Sequence, residues 1–169
     1  MDHAYVIDQL ERHRTIFEAL LAGLPEAEIR WKPAPEKWCL LEVVCHLYDE
    51  ERDDFRARLK HVLETPDAPL PPTDPVGWVT ARKYIEQDYT TLLGRFLDER
   101  DTTVRWLRGL DRPKWTNTYQ HPKVGPISAS LFLINWVAHD LLHFRQINAL
   151  RYGHLASISD EPLDYAGNW

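Results

Sequence analysis

The chain has no run of about 20 apolar residues free of charged or polar breaks, the length a bilayer-spanning helix requires, so no stretch of it reads as a membrane span. It also lacks a signal-peptide pattern, since Met1-Asp2-His3-Ala4 is acidic and polar. A basic excess is missing too: 20 Lys and Arg stand against 26 Asp and Glu, a formal net charge of −6, which argues against a nucleic-acid surface. There are only two cysteines, Cys39 and Cys45. On one helix about 600° of rotation separates them, so they face different sides and cannot pair. The expectation is a reducing, cytoplasmic compartment. No internal repeat and no convincing strand pattern is found, which leaves helices to build the fold.

What is present fits one soluble domain: 169 residues, 44% apolar and 27% charged. From about Asp2 to Leu24, Val6, Leu10, Phe17, Leu20, Leu21 and Leu24 recur at helical spacing, and Gly23 and Pro25 close the segment. Pro33 and Pro35 force the next stretch out of helix, and its Trp31 and Trp38 are expected to fold back over the core. A second helix is expected from about Leu40 to Glu64, opening at Cys39 with Glu42 three residues on, as in a capping box. The charged run from Asp49 to Arg58 suggests that this helix extends past the core into water. Five prolines between Thr65 and Gly77 mark a long connection, either a crossover strap or a cover over a pocket. A third helix is expected from about Trp78 to Leu110, then an irregular link from Asp111 to Pro126. A fourth runs from Ile127 or Ser128 to Arg151 and stops at Gly153. The bundle thus occupies residues 1–152. Residues 153–169 form a tail that only Tyr165 and Trp169 look able to anchor. The class is all-α, a four-helix bundle whose long links allow more than an up-down-up-down order.

The histidines carry the chemical signal. His3, His13, His61 and His154 fall in polar or terminal surroundings and read as surface residues. His46, His139 and His143 instead sit in apolar parts of helices two and four. His139 and His143, four residues apart, stand one turn above each other, on the face shared by Phe132, Trp136, Ile147 and Leu150. Two readings stay open. Each could be a core histidine held by hydrogen bonds, or the three could ligate one metal ion, which satisfies a nitrogen on each and leaves a position open, as in catalytic zinc sites. His139-Asp140-x-x-His143 also brushes against the HExxH protease motif. Asp is one methylene short, position 149 is Ala where the extended motif needs His, and no sheet is expected, so that reading is set aside.

Trp31-Lys32-Pro33, Lys37-Trp38-Cys39, Glu42-Val43-Val44-Cys45-His46-Leu47 and Glu50, followed by His139-Asp140-x-x-His143-x-x-Gln146-Ile147, together resemble the DinB/YfiT-like superfamily from about residue 5 to 152. The resemblance implies a four-helix bundle with a long crossover, often a homodimer. It further implies one divalent metal held by His46, His139 and His143. Characterised members include transferases and isomerases that use low-molecular-weight thiols such as bacillithiol or mycothiol, and others have been called metal-dependent hydrolases. Cys39 departs from the Ser or Thr common at its position, which touches the helix start and no ligand.

Such a metal could polarise a carbonyl, acidify a bound water, or bind and deprotonate a thiol. Glu50, four residues after His46, is the candidate base or ligand orienter, although it could equally be a surface carboxylate beside Glu51 and Asp53. Asp140 and Gln146 are candidates to hold an imidazole N–H. Trp78, Tyr84 and His121 could line the mouth. Zinc or nickel is the first expectation for the ion, with iron, cobalt and manganese next. The function expected is a metal-dependent enzyme acting on a small molecule, of thiol S-transferase or hydrolase type. The alternative is a non-catalytic metal- or ligand-binding stress-response protein.

Overall fold

The structure is a computed structural model that describes residues 1–122 and 125–167. Asp2 opens α1 (His3–Leu21) by accepting a hydrogen bond from the Tyr5 amide, and Gly23, at φ +71°, turns the chain away from its end. A single turn, α2 (Glu26–Ile29), leads into the proline-broken stretch, where Trp31 and Trp38 pack half-buried against the core as expected. The Cys39 amide donates to Glu42 Oε2 at 2.9 Å and starts α3 (Leu40–Asp49). That helix passes without a break through a π-helical segment, Glu50–Arg56, into α4 (Ala57–Glu64). Next come α5 (Pro75–Ala81), a 3₁₀ turn at Tyr84–Glu86, and α6 (Tyr89–Arg108), capped by Asp88. Strands β1 (Thr118–His121) and β2 (Gly125–Ser128) pair antiparallel with Thr118 opposite Ser128, and α7 (Ala129–Ile158) completes the bundle.

Side-chain pairings set the directions of the four rods. His13 meets Asp140 and Arg151 reaches the Leu20 carbonyl, so α1 and α7 run parallel. Leu40 and Val44 pack with Leu93 and Phe96, and Leu59 and Val62 pack with Val104 and Leu107, so the α3–α4 rod and α6 are parallel too. The Tyr89 hydroxyl donates to the Leu21 carbonyl and Arg100 to the Leu10 carbonyl, which makes α1 antiparallel to α6. The order is therefore up-down-down-up. Two consecutive parallel rods need a return path as long as the bundle, and residues 65–88 supply it. The expected four-helix bundle with a long crossover is what the chain builds.

Several expected boundaries move. The third helix does not start at Trp78: α5 begins at Pro75, and Lys83, left-handed at φ 48°, breaks the chain before Asp88 caps α6. The fourth helix does not stop at Gly153 but continues to Ile158. A Cβ at Gly153 would lie 2.6 Å from the Trp31 ring, so this glycine permits a close approach instead of ending the helix. The pair of strands β1 and β2 contradicts the absence of strands. It is short and its Ile127, Tyr119 and the preceding Trp115 pack on the part of the core that holds Leu59, Val104 and Leu133, so it shows no long alternation. Tyr165 is fully exposed and anchors nothing, while Trp169 lies outside the described residues.

The core has two apolar halves. One gathers Phe17, Leu21, Leu40, Val44, Leu93, Phe96 and Ile147, the other Leu10, Leu59, Val62, Val104, Leu107, Leu133 and Trp136. Between them lies a buried charged belt, to which the segment expected in water contributes Glu51: the side chains of Glu51 and Arg100 are each 1% exposed, and Asp140 is 0% exposed. Arg100 Nε donates to both Glu51 oxygens at 3.0 Å, and its two terminal nitrogens donate to Asp140 at 2.6 and 2.8 Å. These pairings, from a helix packed alongside, keep Glu51 and its neighbours inside. Among the described residues no helix is long and apolar enough to cross a membrane.

Candidate metal centre

α3 and α7 cross at mid-height and bring His46 against His139 and His143. One ligating nitrogen from each ring falls within 4.8 Å of the other two. The Nε2 atoms of His139 and His143 face each other at 3.1 Å. Gln146 Oε1 lies 2.8 Å from His143 Nδ1. An amide oxygen only accepts, so the His143 proton sits on Nδ1 and its Nε2 lone pair points at His139. His46 Nδ1 is buried with no partner. A neutral pair can share at most one proton across the His139–His143 gap, and among the described residues nothing bonds Nδ1 of the third ring.

Burial drives all three rings toward the neutral form. His46 is pushed down to about 3 by burial and then by His143 and His139. His139 is also pushed down to about 3, by burial, His143 and Arg100, against the opposing pull of Asp140. His143 is lowered by burial against the opposing pull of Gln146 and Asp140. Neutral imidazole is the metal-binding form, so the donor set fits one divalent ion of the zinc, nickel, cobalt or iron kind. His46 and His143 are 8% and 7% exposed, whereas His139 is half-buried and marks the open side. Aromatic rings wall the cluster: Trp38 lies 5.0 Å from His46, and Phe55 lies 5.0 Å from His139 while stacking on Trp136.

Of the supporting residues, Gln146 does what was expected of it. Asp140 does not: it turns away from His143, engages Arg100, and takes His13 Nδ1 at 2.9 Å. A guanidinium offers two parallel bonds to a carboxylate where an imidazole offers one, and it holds Asp140 below the usual carboxylate range despite burial. His13 is accordingly buried, not on the surface, while His3, His61 and His154 are each half-buried. Arg100 and His13 were missed, although both sit on apolar stripes: Arg100 is four residues from Phe96 and from Val104, and His13 lies between Leu10 and Phe17. Glu50 is buried with Oε1 unpartnered, and burial, followed by the nearby Asp54 carboxylate, pushes it up to about 8. Tyr84 is buried and donates to Asp49, Trp78 lies under the Arg82 guanidinium, and His121 belongs to β1; none contacts the three histidines.

Comparison with known proteins bears on the fold. No curated protein matches the chain. Among solved structures, YfiT from Bacillus subtilis superposes with a TM-score of 0.76 at 19% identity, over 88% of this chain and 85% of that one. That protein is described as "a probable metal-dependent hydrolase with an unusual four-helix bundle topology". At such identity the likeness shows the fold. The model of the DinB superfamily matches residues 9–147, a span that holds all three histidines and most of both core halves, and the chain belongs to that superfamily.

Proposed function

We propose that the protein is a divalent-metal-dependent enzyme acting on a small molecule, as a hydrolase or as a low-molecular-weight-thiol S-transferase. The observation that carries this is the convergence of His46, His139 and His143, neutral and without enough partners in the protein, on one point beside a half-open ring. These three would hold zinc or nickel, with Gln146 fixing the tautomer of His143. When bound, the ion supplies Lewis acidity toward a carbonyl and acidifies a water or thiol. Trp38 and Phe55 shield the histidines from bulk water. Glu50, raised to about 8, could exchange a proton at its unpartnered Oε1 near neutral pH, as a general base or acid. The description of YfiT as a hydrolase supports the hydrolytic branch and the family resemblance supports the thiol branch.

Untagged protein should contain one divalent ion per chain by elemental analysis, and His143→Ala should contain none. Metal-loaded protein is then assayed against ester and amide panels, and against electrophiles with bacillithiol, mycothiol or glutathione. Turnover that falls in Glu50→Gln with metal content unchanged supports the assignment. Stoichiometric metal with no turnover on any panel would replace it with the non-catalytic metal-binding reading.

A further inference from the structure

A second cleft opens on the other side of α3. Cys45 lies one residue from His46, about 100° around the helix, and faces the 3₁₀ turn and α6 instead of α7. The cavity is about 260 Å³, and none of the three histidines lines it. Its floor is Leu92, Tyr84 and Cys45, and its rim carries Arg52, Arg82 and Arg95.

The hydrogen bonds around it are unbalanced. Two carboxylates, Asp49 and Asp53, pair with Arg82, and Asp53 also with Arg52, and every oxygen on both is committed. Asp49 accepts from the Tyr84 hydroxyl at 2.6 Å and pairs with Arg82. Asp53 accepts from Arg52 at 3.2 and 2.9 Å and from Arg82 at 2.7 Å. The remaining Arg52 nitrogen donates to the Tyr48 hydroxyl. The donors are not exhausted. Arg82 spends a single terminal nitrogen on both carboxylates, and the exposed Arg95 makes no ion pair or hydrogen bond among the described residues. Arg82 is also held in place, its guanidinium 4.3 Å from the Trp78 ring centre. A concave site with an apolar floor, spare fork-shaped donors, spent acceptors and one uncompensated positive charge is built to receive an anion. It is conspicuous in a chain of net charge −6.

We propose that this cleft is a binding site for a small organic carboxylate, with the carboxylate between Arg82 and Arg95 and the apolar part on Leu92 and Tyr84. The site is separate from the metal centre and does not depend on the function proposed for it.

Benzoate is a suitable probe, with benzamide as its uncharged counterpart. Titrated into ¹⁵N-labelled protein, benzoate should shift the Cys45, Gln87 and Leu92 amides saturably, and benzamide should bind at least about tenfold more weakly. Arg95→Glu, a change at an exposed residue, should weaken benzoate by at least about tenfold and Arg95→Lys by less. Metal content should be the same in all three proteins. Shifts that fail to saturate, equal binding of benzoate and benzamide, or unchanged binding in Arg95→Glu would each overturn the proposal. Inorganic phosphate that competes with benzoate at equal or higher affinity would overturn the carboxylate assignment.

Discussion

His139 and Asp140 are neighbours on α7, yet they belong to buried polar clusters of opposite character. Around Asp140 the account is closed: Arg100 bonds both its oxygens, His13 joins it, and the Trp136 indole donates to Glu51 at 3.1 Å. Around His139 it is open: two imidazole nitrogens face each other, and His46 Nδ1 has no partner. Burial costs are comparable in kind, because each cluster takes polar groups out of water. The first recovers the cost within the protein. The second can recover it fully only from something the protein does not encode, and that distinguishes a structural cluster from a binding one.

The sharpest way to break this contrast is to remove one partner on each side. Arg100→Leu leaves Glu51 and Asp140 buried without their cation and should cost about 3–5 kcal/mol, read as a loss of unfolding free energy in urea. A loss below 1 kcal/mol on the order-of-magnitude scale for exposed pairs would mean the belt is not closed as described. On the other side, wild-type protein should gain about 2.7 kcal/mol when zinc or nickel is present at roughly 100 times its dissociation constant, and His143→Ala should gain nothing. Metal-dependent melting in the variant equal to wild type would dissolve the distinction. A milder cut falls at Gln146→Ala, which removes only the bond that orients His143. It should weaken metal binding about 10–100-fold, with the melting temperature of the metal-free protein little changed.

The smallest effect, per pH unit, is that of a single buried ring on pH dependence. His46 titrates near 6.5 in an unfolded chain and at about 3 when folded. Between those values the unfolded state binds more protons, so its contribution to stability falls as the pH drops. In metal-free protein, lowering the pH below ~6.5 should move the stability of wild type relative to His46→Leu downward, by at most about 1.4 kcal/mol per pH unit. Parallel curves for the two proteins would show that His46 is not buried as a neutral ring.

The three histidines of the cluster were legible because helical spacing and apolar neighbours are local properties: four residues bring His139 over His143, and Val43, Val44 and Leu47 mark the buried side of His46. Gln146 was legible for the same reason, one turn from His143. The destination of the charged run was not. Asp49-Glu50-Glu51 reads as a solvated stretch until Arg100 and Arg82 arrive from elements about 30 to 50 residues later. Asp140 was assigned to the wrong partner for the same reason, since its local neighbour His143 was visible and its distant partner Arg100 was not. The helix ends were misread at glycine and proline: Gly153 serves Trp31, across the bundle, and Pro75 begins a helix instead of preceding one.

By itself, the sequence determined four amphipathic rods, their apolar stripes, and which residues could meet one turn apart, because those follow from backbone periodicity alone. Tertiary structure decided what faces each buried polar group. It placed Arg100 between Glu51 and Asp140 and left His46, His139 and His143 facing one another. It also set the 3₁₀ turn and α6 against α3 to form the arginine-lined cleft. The cost of burying a polar group depends on its partners, and these partners come from parts of the chain that meet only in the fold.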